Sequence, residues 1–344
     1  MSAEKPLLVV LGATGNQGGS IISYYLSQAS SSPYKLRGVT RNLSSSKSHT
    51  LISRGVEMVF GDFDNPSSLK AAFQNATAIF SVTDFWHSFT NPSLRGRAAE
   101  TGEKIGVLAR DQEAQQNRNI IDAAATIETL ERFIYSSLPN TFKLSGGKYS
   151  HVYHFDGKGI AEEYGRTTHP ELWKKTNVFY AGYYLENYFD AAGGLFRPKL
   201  SKDRTTLILS AAAPLATAAL PMYSSLDDTG PLVDALLRSS AGHKIIGFNK
   251  WLSLREFASI LAQVLGIKNV KFIDENPDMN QLGDPDFVED ALEMIGWYVE
   301  FGFDGGKVDK SVKKPSELGV EVELRSVEEW CRKQDWEGVL EVVD

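Results

Sequence analysis

Short apolar runs alternate with segments of helical period along the first half of the chain. "PLLVVLG", "YKLRGVTR", "VEMVFGD", "ATAIFSVT", "LERFIYSS" and "TNVFYAG" have the length and residue types of buried strands. Between them, "NQGGSIISYYLSQ", "NPSSLKAAFQ" and "EAQQNRNIIDAAATI" carry the spacing of helices packed on one face. Strand and helix in turn, with short connections, imply right-handed crossovers. The expected fold class is α/β, a Rossmann-type doubly wound parallel sheet with a smaller C-terminal α/β substrate lobe. Beyond about residue 190 the pattern breaks into Pro- and Gly-punctuated segments with scattered helices. One start is legible there: Ser253 and Glu256 form a capping box opening "LREFASILAQVLG", which stops at Gly266. The expected division is therefore 1–190 for the core and 191–344 for the lobe, with part of the chain returning to the core. "GDPDFVEDALEMIGWYVEFGFDG" reads as an acidic helix followed by an aromatic turn, to which sequence assigns no role.

The first chemistry sits at the end of the first strand. In "VVLGATGNQGGS", Gly12, Gly15 and Gly18 are spaced G-x-x-G-x-x-G between a strand and a helix. Such a loop gives a tight turn, bare backbone near a pyrophosphate, and helix N–H groups to receive it. Glycine spacing alone is a weak signal; the strand before it and the helix after it make it a strong one. The expected dinucleotide-binding residues here are Gly12, Thr14, Gly15, Asn16, Gln17 and Gly18. Where NAD binders end the second strand with an acid, this chain has Arg41, with Lys47 nearby. A guanidinium matches a 2′-phosphate bidentately, so NADP(H) is the expected cofactor, the bland alternative being a solvated surface arginine. Asp62 and Phe63 end the third strand, where adenine is held, and Thr83 ends the fourth, beside the pyrophosphate and nicotinamide.

The totals exclude more than they assign. With 42% hydrophobic and 23% charged residues, the chain has the composition of an ordinary globular protein. A net charge of −7 argues against nucleic acid or an anionic membrane as partner. The only cysteine, Cys331, can form no internal disulfide, which fits a reducing compartment. No signal-peptide pattern opens the chain and no apolar run is long enough for a bilayer, so a cytoplasmic location is expected. His87, His151 and His154 lack a completing carboxylate or cysteine pattern, and no metal is expected.

Taken in order, "GATGNQGG", "VTRN", "GDFD", "VTDFW", "HFDGKGIAEEY" and "YYLEN" resemble the motif series of the NmrA-like family, atypical members of the short-chain dehydrogenase/reductase superfamily. The resemblance covers roughly residues 6 to 190, and more loosely the segment through "LDDTGPLV". It implies an NADP(H)-binding core. It leaves activity open, because the family holds both redox-sensing regulators and working oxidoreductases, many of them in fungal secondary metabolism. The superfamily's Tyr-x-x-x-Lys is here His154-x-x-x-Lys158, a variant common in that family. Spacing of four places both side chains on one helix face, with Tyr153 about 100° away. Lys158 is expected to clamp the nicotinamide ribose or to donate a proton, and His154 to relay or donate one, with Tyr153 as a further candidate. A satisfied structural histidine is the bland alternative for His154; for Lys158 the bland alternatives are a mere cofactor clamp and an unrelated surface lysine. Gly157 and Gly159 each cost a helix about 1 kcal/mol relative to alanine. Something is therefore expected to approach this helix closely, the nicotinamide ribose being the candidate.

By the same resemblance, Ser136 or Ser137 stands where the superfamily carries its substrate-orienting serine and is expected to touch the nicotinamide or the substrate carbonyl, with Tyr180 beside the cofactor. Aromatic residues then gather where loops meet the cleft: Phe85, Trp86, His87, Tyr183 and Tyr184, with Asn187 close by, are the expected substrate-binding set. Many will simply fill core. The rest suit a flat, sizeable, partly apolar substrate. The leading expectation is an NADPH-dependent oxidoreductase passing hydride to a carbonyl, iminium or conjugated acceptor of an aromatic or polycyclic small molecule, with a following cyclisation as an extension. The competing expectation is a non-catalytic NADP(H) sensor that binds a protein partner.

Overall fold

The computed structural model describes residues 5–28, 31–189 and 196–343. The expected core–lobe boundary at 190 lies outside the described residues. Strands β1 (Leu7–Val10), β2 (Lys35–Thr40), β3 (Glu57–Phe60), β4 (Ala78–Ser81), β5 (Arg132–Ser137) and β6 (Thr176–Ala181) coincide with the six apolar runs. With β11 (Lys244–Gly247) they form a seven-stranded parallel sheet in the order β11-β6-β5-β4-β1-β2-β3. The chain runs outward from β1 through β2 to β3, then crosses over to β4 and continues the other way. The crevice at this reversal, above β1 and β4, is where such sheets bind ligands.

Helices between the strands are α1 (Asn16–Ser27), α2 (Ser46–Ser53), α3 (Pro66–Ala72), α4 (Phe85–Phe89), α5 (Pro92–Thr101), α6 (Ile105–Ala125), α7 (Thr141–Leu144), α8 (Tyr153–Thr168) and α9 (Pro170–Trp173). Leu8 and Val10 of β1 face Ile21, Ile22 and Tyr25 of α1, whereas Val9 and Leu11 face Ile120, Ile121 and Phe73 on the other side. With both faces covered, the strand reads as an unbroken apolar run.

The seventh strand, β11 (Lys244–Gly247), comes from late in the chain and pairs parallel to β6. Before it come β7 (Tyr183–Tyr184), β8 (Lys199–Ser201), β9 (Thr206–Ser210), α10 (Ala213–Thr217), β10 (Leu220–Tyr223) and α11 (Thr229–Arg238). Helix α11 lies on α1, where a Cβ on Gly230 would meet Tyr24 and the Ser20 carbonyl. After β11 come β12 (Lys250–Leu252), α12 (Leu254–Leu265), β13 (Asn269–Ile273), α13 (Pro285–Phe301), α14 (Val327–Lys333) and β14 (Val342–Val343). These later elements build two small sheets, β12-β10-β7 and β13-β9-β8-β14. Helix α12 has both halves of its Ser253/Glu256 capping box and ends at Gly266 in the left-handed region. Among the described residues no helix is long and apolar enough to cross a membrane.

Asp228, just before α11, is 2% exposed and accepts the Ser224 N–H at 2.8 Å. Burial pushes its carboxyl up to about 7 from 3.8. A raised carboxyl favours the folded state while protonated. That contribution is complete below about pH 3.8 and is lost as pH rises through about 7. Asp228→Asn should remove this dependence. Between pH 5 and 8 the wild type should lose about 3 kcal/mol more stability than the variant, measured by urea denaturation at each pH.

Candidate functional site

The glycine turn has the geometry that its sequence demands. Gly12 sits at φ +61°, and its carbonyl accepts the Gly15 N–H at 2.8 Å. A Cβ on Gly18 would lie 2.6 Å from the Gly12 carbonyl carbon, so strand end and helix start touch backbone to backbone. Helix α1 then opens with no side-chain cap and no acid in its first turn. Its free N–H groups suit an anion. The cradle fits a dinucleotide pyrophosphate.

One chain of polar contacts ties this turn to β5 and β7, and a second gathers at the end of β4. Gln17, buried on α1, accepts from the Ser136 hydroxyl at 2.9 Å and donates to the Tyr184 hydroxyl at 2.6 Å. Thr83, at the end of β4, donates to Glu113 Oε1 at 2.8 Å, and Lys158 Nζ reaches the same oxygen at 2.5 Å. Asn117 completes the cluster by donating to the Thr83 hydroxyl at 2.8 Å. Glu113 is fully buried, and the Lys158 side chain is 11% exposed. Both Glu113 Oε2 and Asn117 Oδ1 are buried without a protein partner.

One turn before Lys158 on α8, His154 Nδ1 lies 2.6 Å from Asp290 Oδ1 on α13. The contact lies off the line of an ideal hydrogen bond, since neither atom meets hydrogen-bond geometry. Asp290 is 2% exposed, and its other oxygen accepts the Tyr153 N–H at 3.0 Å. Trp86 lies against the His154 ring, 5.2 Å between centroids, and against Phe287 of α13 at 4.9 Å. With Nδ1 directed at a carboxylate, Nε2 is the nitrogen left to face a ligand.

The expected site residues thus divide. Gly12, Gln17, Gly18, Thr83, Ser136, His154, Lys158, Trp86 and Tyr184 converge on the crevice through the contacts above. Thr14 belongs to the same loop, its carbonyl accepting from Lys47 Nζ at 3.2 Å, and Asn16 starts α1. Asp62 turns its carboxylate onto the Asp64 N–H, and the Phe63 carbonyl accepts from Asn119 at 2.8 Å. Phe85 is core, packed on Phe89 and Tyr153. The Tyr153 ring lies on Gly106 of α6 under the Arg110 guanidinium, and burial raises its hydroxyl well above the usual tyrosine range. Ser137 and Tyr180 both turn to Glu162 of α8, at 3.1 and 3.3 Å, in a cluster that also holds Arg166 and Lys244. Tyr183 packs beside Tyr188, and Asn187 is half-buried in the 3-10 turn that follows. His87 lies 2.9 Å from Arg41.

The glycines of α8 also have a different cause from the one expected. A Cβ on Gly157 would stand 3.1 Å from both the Arg110 carbonyl and Glu113 Oε2, and one on Gly159 would stand 2.7 Å from Asn140. Protein, not cofactor, makes these close approaches. Glu113, Asn117, Asp290 and Phe287 are the crevice residues that sequence reading missed. Glu113 had a signal: with Ala109, Asn117 and Ile120 it follows the buried stripe of α6, where a lone acid is out of place.

The family model for the NmrA-like family matches residues 4–331. The chain belongs to the NmrA-like family. Several curated NmrA-like relatives are named oxidoreductases. FrzB of Cladobotryum sp is 26% identical over 276 residues, 76% of this chain and 74% of that protein. The corresponding protein hkm9 of Aspergillus hancockii is 26% identical over 86% of this chain and 83% of its own length. A shorter match, to cpsB of Aspergillus campestris, reaches 29% identity and spans about half of that protein (48%). Among solved structures, NmrA, a negative transcriptional regulator in complex with NADP, superposes with a TM-score of 0.71 at 20% identity, covering 98% of this chain and 97% of that one. The triphenylmethane reductase of Citrobacter sp. complexed with NADP(H) gives 0.60 at 17% identity, covering 95% and 99%. At these identities the structures establish the doubly wound fold of an NmrA-like chain.

Glu113→Gln tests the buried pair directly. It leaves the Lys158 ammonium facing a neutral amide in a nearly closed space. The substitution should cost about 3 kcal/mol, the lower end for a broken buried pair, because Lys158 keeps a route to solvent. Chemical denaturation of the unliganded protein measures this. A loss below about 0.5 kcal/mol would show that the pair holds nothing together.

Proposed function

We propose that the chain is an NADPH-dependent oxidoreductase acting on a flat aromatic or polycyclic acceptor. The observation that carries this reading is the α8 face, on which Lys158 and His154 stand one turn apart. Each stands against its own buried carboxylate, Asp290 for His154 and Glu113 for Lys158. A nucleotide store alone requires no histidine so oriented. The naming of the curated relatives as oxidoreductases and the NADP bound in the NmrA complex support the same reading. Bound NADPH supplies a hydride from nicotinamide C4 to a carbonyl, iminium or conjugated acceptor.

The protein's own groups do the remainder. The α1 N-terminus and the Gly12–Gly18 turn receive the pyrophosphate. Lys158 offers its ammonium to the nicotinamide ribose hydroxyls, steered there by Glu113. Ser136 and Tyr184 are both fixed by Gln17, inside the Gly12–Gly18 segment. Burial pushes the Tyr184 hydroxyl up to about 12, so it stays a neutral hydrogen-bonding group at neutral pH. His154 Nε2 delivers the proton that a carbonyl or conjugated acceptor needs after hydride addition, whereas an iminium needs none, while Nδ1 keeps its carboxylate partner. Trp86 is 38% exposed although it packs on His154 and Phe287, and its free face is the platform for an aromatic acceptor. A product held on that platform would be placed for a following cyclisation.

Single-turnover transfer from C4-deuterated NADPH to a panel of polycyclic carbonyl and iminium compounds, read by mass, tests the reading. Deuterium should appear in a product. His154→Phe should keep NADPH binding while lowering kcat about 10²-fold or more, and Lys158→Met should weaken NADPH binding as well. No transfer from the whole panel, alongside tight binding that distinguishes NADPH from NADP⁺, would favour a redox-sensing regulator.

A further inference from the structure

Arg41 follows β2, and His87 is the third residue of α4, just after β4. These strands are not neighbours, since β1 runs between them. Their ends are two strand spacings apart, about 10 Å. Yet Arg41 Nη1 and His87 Nε2 stand 2.9 Å from each other. The two side chains therefore meet across the glycine turn that ends β1, over the crevice.

The chemistry of the contact is unusual. A guanidinium can only donate, so His87 Nε2 is the acceptor and its ring proton sits on Nδ1. Arg41 thus donates to a neutral imidazole. Among the described residues, no carboxylate makes an ion pair with Arg41 or with Lys47, which reaches only the Thr14 carbonyl at 3.2 Å. Asp84, the nearest acid in the chain, directs Oδ1 at the N–H groups of Trp86 and His87 and so caps its own helix. Arg41, Lys47 and His87 therefore gather at one edge of the crevice, with Arg41 and His87 exposed and no protein anion among them.

We propose that His87 is a specificity residue for the cofactor, closing with Arg41 as a two-armed clasp on the 2′-phosphate of NADP(H). This rests on the NADPH reading above and deepens it. The phosphate takes over the Arg41 donors, and the displaced imidazole presents an N–H to the same phosphate. A dianion between a guanidinium and an imidazole gains charge-assisted hydrogen bonds from both. A bare ribose diol gains none. His87 then serves the adenosine end of the cofactor, leaving the substrate wall to Trp86 and His154.

The test is binding of NADP⁺, NAD⁺, 2′,5′-ADP and 5′-AMP by titration calorimetry to wild type, Arg41→Ala, His87→Ala and the double variant. His87→Ala should weaken NADP⁺ and 2′,5′-ADP about tenfold and leave NAD⁺ and 5′-AMP unchanged, which also reports an intact fold. The double variant should lose less than the product of the single losses, because the two arms share one phosphate. Equal weakening of all four ligands, or no change in NADP⁺, would overturn the clasp. Tighter NADP⁺ binding would also overturn it, making His87 a group that competes with the phosphate. If wild type binds neither dinucleotide, the NADPH reading itself fails. Binding of both with an unmoved His87→Ala variant sinks only the clasp.

Discussion

A carboxylate with no exposed surface organises this crevice. Removing Glu113 from water costs several kcal/mol, offset only by partners of good geometry. It has two on one oxygen: the Lys158 ammonium and the Thr83 hydroxyl. To keep them, α6 and α8 must run very close, and the sequence permits it at two places. Gly157 leaves room for the Arg110 carbonyl and Glu113, and Gly106 leaves room for the Tyr153 ring. One ion pair thereby fixes the spacing of two helices, the end of β4, and the position from which Lys158 enters the crevice. The second oxygen of Glu113 and the Asn117 Oδ1, both without a protein partner, are the remaining acceptors in this cluster.

Much of the fold could be read because its signals are local. β1 to β6 are apolar runs bounded by turns, and a doubly wound sheet follows from their alternation with helices. β11 is different. "KIIG" is too short to announce itself, and it becomes a strand only by pairing with β6, more than sixty residues earlier. Helix α11 shares that difficulty: it belongs on α1, over two hundred residues away, as the Gly230–Ser20 contact shows. Long-range pairing of this kind leaves little trace in a local window, so the core's last layer was visible only as an expectation that some chain returns.

The site divides along the same line. Gly12 and Gly18 were legible because a turn's backbone requirement is written into the residue type, and the His154/Lys158 face because helical period is local. Asp290 was not, since it meets His154 from 136 positions later in a helix whose acids look like a solvated face. Arg41 was identified by its place at a strand end, whereas its partner His87 was grouped with the aromatics around it. Gly157 and Gly159 carried a true signal of close approach, but sequence does not say what approaches. Ser136 and Ser137 are adjacent and chemically identical. Only the pleat decides that the first meets Gln17 and the second Glu162.

The acidic helix that sequence left without a role joins the lobe to the core. Neither α6 nor α8 has a side-chain cap of its own; their N-cap residues are Lys104 and Val152. Helix α13 provides both caps from outside. Asp286 accepts the Gly106 N–H at 3.3 Å, and Asp290, one turn on, accepts the Tyr153 N–H at 3.0 Å. Spacing of four puts both carboxylates on one face, aimed at two positive helix ends. Glu289 and Glu293 add contacts to Lys104 and His151 along the same seam. Because Asp290 caps α8 and also meets His154, docking of the lobe and orientation of the histidine are a single event. A lobe that shifted by one helical turn would lose a cap and release the imidazole together. The seam is thus a structural reason for His154, the proposed proton donor, to be in place only when α13 is seated against α6 and α8.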